Sequence, residues 1–299
     1  MKLKSLGEFN LINRIASRVK VSKDVIKGIG DDTAVLKYTK DKYLLYTCDM
    51  LLEGRHFLSK IDGHLVGKKS LSVNISDIAA MGGVPKFAII SLGIPSSMNV
   101  SYVDDIYKGI LSVAKNFNVD IVGGDTISSD KIIINISLLG EVEKRFLVLR
   151  SGARQGDEIF ITGAIGGSLK GKHLSFIPHL KQARFLVRNF RINSMIDISD
   201  GLLADLGHIL RLSKKGALLY KKDMPISRHA DSFNSAIKDG EDFGLIFTLS
   251  EKETDRLQKK WPFKTRLSRI GKIVKDRGLY IIENSGRRNR IESKGYTHF

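Results

Sequence analysis

A single cysteine, Cys48, among 299 residues excludes an intrachain disulfide and any zinc site made of clustered thiolates, and it suits a reducing compartment. No apolar run approaches the roughly 20 residues that a membrane helix needs. The opening MKLKSLGEFNLINRIASRV is too interrupted by polar residues to read as a secretory signal. The expected location is therefore cytoplasmic, with no membrane partner. Acidic residues are scarce: 32 Asp and Glu stand against 49 Lys and Arg, a net charge of +17 and a pI of about 9.8. That excess raises nucleic acid as a ligand, but it is spread along amphipathic segments. The last 49 residues hold 14 Lys and Arg against 6 Asp and Glu, or +8, with few aromatics and no zinc knuckle, basic zipper or RNA-binding signature. Nucleic acid is not the expected main ligand, although the charge favours the approach of anionic nucleotides. The common phosphate fingerprints are missing as well. There is no G-x-G-x-x-G, and GAIGGSLKGKH (163–173) places His173 where a phosphate loop needs Ser or Thr. Its glycines read as turn formers.

What is present is an ordinary globular composition, 42% hydrophobic and 27% charged, in a chain long enough for two domains. Helical and extended patterns alternate, which argues for an α/β or α+β fold. Helices are expected over 6–20, 63–81 (stopped by Gly82-Gly83 and Pro85), from a Ser101/Asp104 capping box onward, near 166–175, 179–189, 200–213 and 250–260. Strands are expected at 33–38, 42–48, 86–94, 119–124, 131–142, in SMIDIS (194–199), and at 216–220, 243–249 and 268–274. The Gly-rich, polar stretch LRSGARQGDEIFITG (149–163) reads as a linker entering a new strand. The domain boundary is placed near residue 145, giving 1–145 and 146–299.

The informative feature is a set of aspartates beside glycines or small polar residues at the ends of apolar runs: GIGDDTAVL (28–36), YTCDMLLEGRHF (46–57), VNISDIAAMGG (73–83), IVGGDTISSD (121–130) and MIDISDGLLADLG (195–207). Asp31 and Asp32 follow a flexible turn, Asp49 ends the run YLLYTC, and Asp77 interrupts an apolar helix face. Asp125 follows Gly123-Gly124, and Asp197 and Asp200 flank Ile198-Ser199 at a strand end. A folded protein does not gather that much negative charge in one place unless cations share it. Oxygen ligands without Cys or His clusters point to Mg²⁺, which commonly arrives with phosphates. The N-terminus of the helix after Ser199 also suits an anion, with Ser199 capping it or contacting a phosphate. The residues alone thus imply a metal-dependent enzyme acting on phosphates.

The ordered set GIGDDTAVL, DMLLEGRHF, VNISDIAAMGG, GGDT, DISDGLLADLG, GEDFGLIF (240–247) and GYTHF (295–299) resembles the thiamine-monophosphate kinase family, within the aminoimidazole ribonucleotide synthetase superfamily, nearly end to end. The resemblance implies an N-terminal α/β domain that binds metal and ATP and pairs across a homodimer. A C-terminal α/β domain would complete the ATP and substrate site. It implies ATP-dependent phosphorylation of thiamine monophosphate to thiamine diphosphate with several Mg²⁺ ions. Metal contacts fall to Asp32, Thr47, Cys48, Asp49, Asp77, Asp125, Asp197 and Asp200. Gly124, Asp125, Arg150 and Ser199 fall at ATP positions, and His56, Glu241 and Tyr296 at substrate positions. An aromatic at Tyr296 suits a flat, cationic substrate. Three residues depart from the family pattern: Cys48 where Thr or Ser is usual, Arg55 beside His56, and Gly244 where the family's GEDYEL has Glu. The closest rival is a superfamily member that activates a carbonyl by phosphorylation; EGRHF and GYTHF count against it. A nucleic-acid-binding protein on a degenerate scaffold is the other, and the intact aspartates count against that.

Overall fold

The computed structural model describes residues 2–297. Short helices α1 (Leu3–Leu6) and α2 (Glu8–Ala16) precede β1 (Val25–Lys27), β2 (Ala34–Lys37) and β3 (Lys42–Leu52). Then come α3 (Gly63–Ala80), β4 (Val84–Ile94), α4 (Val100–Phe117), β5 (Asp120–Ser128) and β6 (Ile133–Glu143). These strands form one six-stranded mixed sheet in the order β1-β2-β3-β6-β4-β5, antiparallel except for the β4–β5 pair. Period-two alternation explains its two faces. In β6, Ile134, Ile136, Leu138 and Val142 are buried under α3 and α4, while Asn135 and Ser137 point to the other side. On that other side Tyr46, Met50, Phe87 and Ile89 are exposed.

The second half gives β7 (Asp157–Thr162), α5 (Leu180–Asn189), β8 (Ile192–Asp197), α6 (Leu202–Ser213) and β9 (Gly216–Tyr220). These are followed by α7 (Phe233–Ala236), β10 (Leu245–Ser250), α8 (Thr254–Lys260), β11 (Leu267–Val274), β12 (Leu279–Ile282) and β13 (Arg288–Ile291). The seven strands run β13-β12-β9-β11-β7-β10-β8, with only β12–β9 parallel. Here both faces are covered, which is why DEIFIT is buried along its whole length instead of alternating. Ile159, Ile161, Ile196 and Ile246 pack with α6, while Phe160, Met195, Leu245 and Phe247 pack with α5 and Leu257 of α8.

Helix α3 joins the two halves. Val66, Leu71, Ile75 and Ile78 belong to the first core, and Ala79 and Ala80 to the cluster around α5 and the second sheet. A helix buried nearly all round sits between layers rather than on a surface. Its close crossing with α4 requires two glycines: a Cβ on Gly67 would lie 1.9 Å from the Ile106 carbonyl oxygen, and one on Gly109 2.1 Å from that of His64.

Several expectations are corrected. No α-helix covers 166–175: Gly166 and Gly167 adopt left-handed φ values of 88° and 73°, and only two 3-10 turns form, Ser168–Lys170 and Lys172–Leu174. Helix α4 starts at Val100 after Asn99, so Ser101 lies inside it and the capping box is not made. The segment expected as one helix over 6–20 splits at Gly7, and β3 and β5 run four residues beyond their expected ends, carrying Asp49 and Asp125 inside strands. Strands β12 and β13 were not expected, their sequences being short and, in RNRI, half charged.

Candidate active site

Alternation along β3 sends Leu45, Thr47, Asp49 and Leu51 toward α3 and turns Tyr46, Cys48 and Met50 the other way. Thr47 Oγ1 donates to Asp77 Oδ2 at 2.5 Å, and the Asp49 and Asp77 carboxyls share a hydrogen bond. One residue back on α3, Ser76 Oγ donates to Asp197 Oδ2 at 2.5 Å, reaching the end of β8. Asp32 arrives from the turn before β2 and is clamped by Arg150 Nη2 at 2.8 Å, while Asp31 Oδ1 accepts the Arg150 backbone N–H at 3.0 Å. Carboxylate oxygens of Asp32, Asp77 and Asp197 lie within 4.8 Å of one another. Both halves of the chain contribute to this cluster.

Burial and mutual repulsion raise the pKa values of these acids. Burial, then the Asp32 charge, pushes Asp197 up to about 8. Burial pushes Asp49 up to about 6, against its hydrogen bond to Asp77 and with help from Asp32 and Asp200. Asp77 and Asp32 are also raised, burial again being the larger cause. Asp32 Oδ2 and Asp31 Oδ2 are buried without a hydrogen bond. The orphaned oxygen of Asp32 beside the carboxylates of Asp77 and Asp197 fits a hard divalent cation, whose charge would offset their repulsion.

A second set of residues meets the first at Asp197–Gly201. The GEDF loop is held there by Glu241 N donating to the Ser199 carbonyl at 2.7 Å and Phe243 N to that of Ile198 at 2.8 Å. Glu241 and Phe243 take left-handed φ values of 64° and 50°, a strain sustained where surrounding contacts over-determine the backbone. One such contact is Asp242, which accepts from Gly166 N at 2.8 Å and from Ser168 Oγ. Tyr296 N donates to the Asp200 carbonyl at 2.9 Å, so the C-terminal segment runs to the same spot. The Arg55 guanidinium lies 5.3 Å from the Tyr296 ring centroid. His56 Nδ1 accepts from Leu52 N at 2.9 Å, which fixes its ring on the loop after β3.

Three residues that sequence reasoning passed over tie this second set together. Lys69 of α3 is buried, and its ammonium donates to the His56 carbonyl at 2.8 Å, meets His173 Nδ1 at 2.9 Å and pairs with Glu241. Burial lowers the Lys69 pKa. Burial alone would lift Glu241, but the hydrogen bonds of His173 and Lys69 hold it below its usual value. Asp205 lies on the inward face of α6 and accepts from the N–H groups of Asp200 and Gly201, each at 3.1 Å. It thereby satisfies the helix start that Ser199 was expected to cap; α6 begins at Leu202 with Gly201 as its cap residue. A carboxylate inside the stripe Leu202, Leu203, Leu206 was the available signal.

Two expected site residues are not brought to the cluster within one chain. Cys48 is exposed on the opposite face with its Sγ 3.1 Å from Asn135 Oδ1, so its thiol points away from the carboxylates. Asp125 is exposed on edge strand β5, in the row of Met50, Asn135 and Ser91. Three strand spacings separate it from Asp49, about 14 Å. Gly124 is glycine because β4 lies close: a Cβ there would be 1.8 Å from the Ile90 carbonyl oxygen. Gly244 is equally confined, its Cβ position being 2.4 Å from the Thr162 carbonyl oxygen. His298 and Phe299 of the GYTHF motif lie outside the described residues.

The family model for the AIR synthase related protein, N-terminal domain, matches residues 30–142, which span most of the first sheet. The chain is 34% identical to the thiamine-monophosphate kinase of Aquifex aeolicus (strain VF5) over 100% of both chains. It is 35% identical to that of Buchnera aphidicola subsp. Acyrthosiphon pisum over 98% of both. The solved structure "AaThiL complexed with AMPPCP and TMP" superposes with a TM-score of 0.87 at 33% identity, covering 100% of this chain and 99% of that one. This chain belongs to the thiamine-monophosphate kinase family.

Proposed function

We propose that this enzyme phosphorylates thiamine monophosphate with ATP to give thiamine diphosphate, a phosphotransfer to a phosphate acceptor. The observation that carries this reading is the meeting, at Asp197–Gly201, of a carboxylate cluster and the His56, Glu241, Tyr296 set. Full-length likeness to named kinases, one solved with an ATP analogue and TMP, supports it. Asp32, Asp49, Asp77, Asp197 and Asp200 would hold Mg²⁺, with Thr47 and the Cys48 backbone beside them. Bound there, Mg²⁺ would neutralise phosphate charge and align the attacking and leaving oxygens. Arg150 and Ser199 would contact ATP, Arg150 also clamping Asp32. His56, Glu241 and Tyr296 would orient the thiamine moiety, and Lys69 and His173 would fix Glu241. No general base is needed, because a phosphomonoester has its second pKa near 6 and is largely ionised at neutral pH.

We further propose a cytoplasmic homodimer, with residues 1–145 supplying the metal and dimer-forming domain and 146–299 completing the site. Support comes from the uncovered apolar face of the first sheet and from the unpaired outer edge of β5. Gly124 and Asp125 lie on that edge, where a second copy would cover them. No helix among the described residues is long and apolar enough to cross a membrane.

The test is to incubate the protein with ATP, Mg²⁺ and thiamine monophosphate and to separate the products by chromatography. Thiamine diphosphate forming with the wild type and not with Asp49→Asn supports the proposal; ATP turnover without that product overturns it.

A further inference from the structure

One cavity lies beside the C-terminal half of α6, and none of the clustered carboxylates lines it. It is a cleft of about 730 Å³, walled by Gly207, Leu210, Arg211 and Lys215 of α6 and its C-terminal turn, by Arg277 to Leu279, and by Arg290 to Ser293. Four cations line it: Arg211, Lys215, Arg277 and Arg290. None of them is in an ion pair among the described residues; Arg211 instead meets His208 Nδ1 at 2.8 Å. The only acidic lining residue, Glu292, pairs with Lys294 at 2.5 Å. The C-terminal end of α6 contributes about half a negative charge, far short of four positive ones. Like charges gathered in a concave wall concentrate positive potential, and a bound anion relieves it.

The third wall is also the segment that carries Tyr296. After β13 the chain crosses α6 so closely that a Cβ on Gly207 would lie 2.6 Å from Ser293 Cβ. It then passes Asp200, where a Cβ on Gly295 would lie 2.2 Å from the carbonyl oxygen. Tyr296 N is anchored to that same carbonyl. The cleft wall and the substrate-facing aromatic are therefore parts of one short strap seated on α6.

We infer that this cleft is a binding site for a small, multiply phosphorylated anion, held between α6 and the strap and distinct from the kinase site. Its volume suits a ligand of nucleotide size, and paired guanidinium groups suit phosphate oxygens. Occupancy ties Arg290 to Arg211 and immobilises the strap. An effect on substrate binding would follow only if Tyr296 has the role proposed above; the anion site itself stands without it.

The probe is inorganic triphosphate, titrated calorimetrically into the full chain in low salt with EDTA, which removes the cations that phosphates would need at the carboxylates. Saturable 1:1 binding is expected, weakened at least tenfold in Arg211→Gln/Arg290→Gln and in Lys215→Gln/Arg277→Gln. It should be unchanged in the charge-matched control Lys259→Gln/Lys260→Gln. Hydrogen exchange of residues 290–297 is expected to slow with triphosphate in the wild type and the control, and not in the cleft variants. No saturable binding, equal affinity in both cleft variants, or an equal loss in the control overturns the site. Binding of an oligonucleotide with no binding of triphosphate overturns the small-anion assignment, and unchanged exchange at 290–297 overturns the strap.

Discussion

Buried carboxylates packed around one guanidinium, that of Arg150, give this protein an unusual relation to pH. Asp197 titrates near 8 in the fold, against an ordinary value of 3.8, and Asp49 near 6. Between those values the folded chain binds more protons than the unfolded chain, so stability falls as pH rises. The melting temperature of EDTA-treated protein should therefore decline from about pH 4 to about pH 8, and Mg²⁺ should restore it most at the upper end; a flat profile would contradict the reading. Asp77→Asn should raise the metal-free melting temperature while lowering turnover at least a hundredfold, a loss typical of removing electrostatic stabilisation. Lys69→Met should raise KM for thiamine monophosphate at least tenfold, with a smaller change in kcat, because it frees Glu241 and the His56 loop; Lys69→Arg should partly rescue it. The aspartates were legible in the sequence because each ends or interrupts an apolar run. Lys69 was not: one lysine in VGKKSLSV reads as solvated until the packing of α3 between two sheets shows it buried.

At the scale of elements, legibility followed how far each segment's structure is decided locally. Helix α3, with its Gly82-Gly83 stop, and strands β4 and β6 came out close to expectation because periodicity and termini agree there. The 166–175 segment misled because its apolar residues suit a helix while Gly166 and Gly167 are pinned left-handed against Ala236 and His229. Strand β12 has one neighbour in β9, far away in sequence, and the other in the short, half-charged β13, so little in its own pattern announces it. The α3–α4 crossing yields its own prediction. Gly67→Ala or Gly109→Ala would push a methyl into a facing carbonyl and should destabilise the fold by about 1–3 kcal/mol, as overpacking does. Urea denaturation would measure this. An unchanged midpoint in both variants would show that the helices can separate freely.

For the whole molecule, the unfinished surface is the outer face of the first sheet. Tyr46, Met50, Phe87 and Ile89 are exposed there, an apolar face of the kind that marks interaction surfaces. Light scattering should give twice the chain mass for the wild type and the chain mass for Phe87→Asp/Ile89→Asp, with activity lost if Asp125 acts only when that edge is covered. The face was invisible to single-sequence reading, since alternation shows that a strand has two sides but not what covers each. Helix α3 spans both clusters. It presents Lys69 to Glu241 and the His56 loop, and Ser76 and Asp77 to the carboxylates, so it acts as a ruler between the two clusters. Seven or eight residues at 1.5 Å each set a spacing of about 11–12 Å. Inserting a single residue between them would rotate one end by about 100° relative to the other. Such a chain should still fold its separate cores, yet it would aim Lys69 and the Asp77 carboxyl in different directions. Length in the loops can drift, but this stretch of helix keeps time for the site.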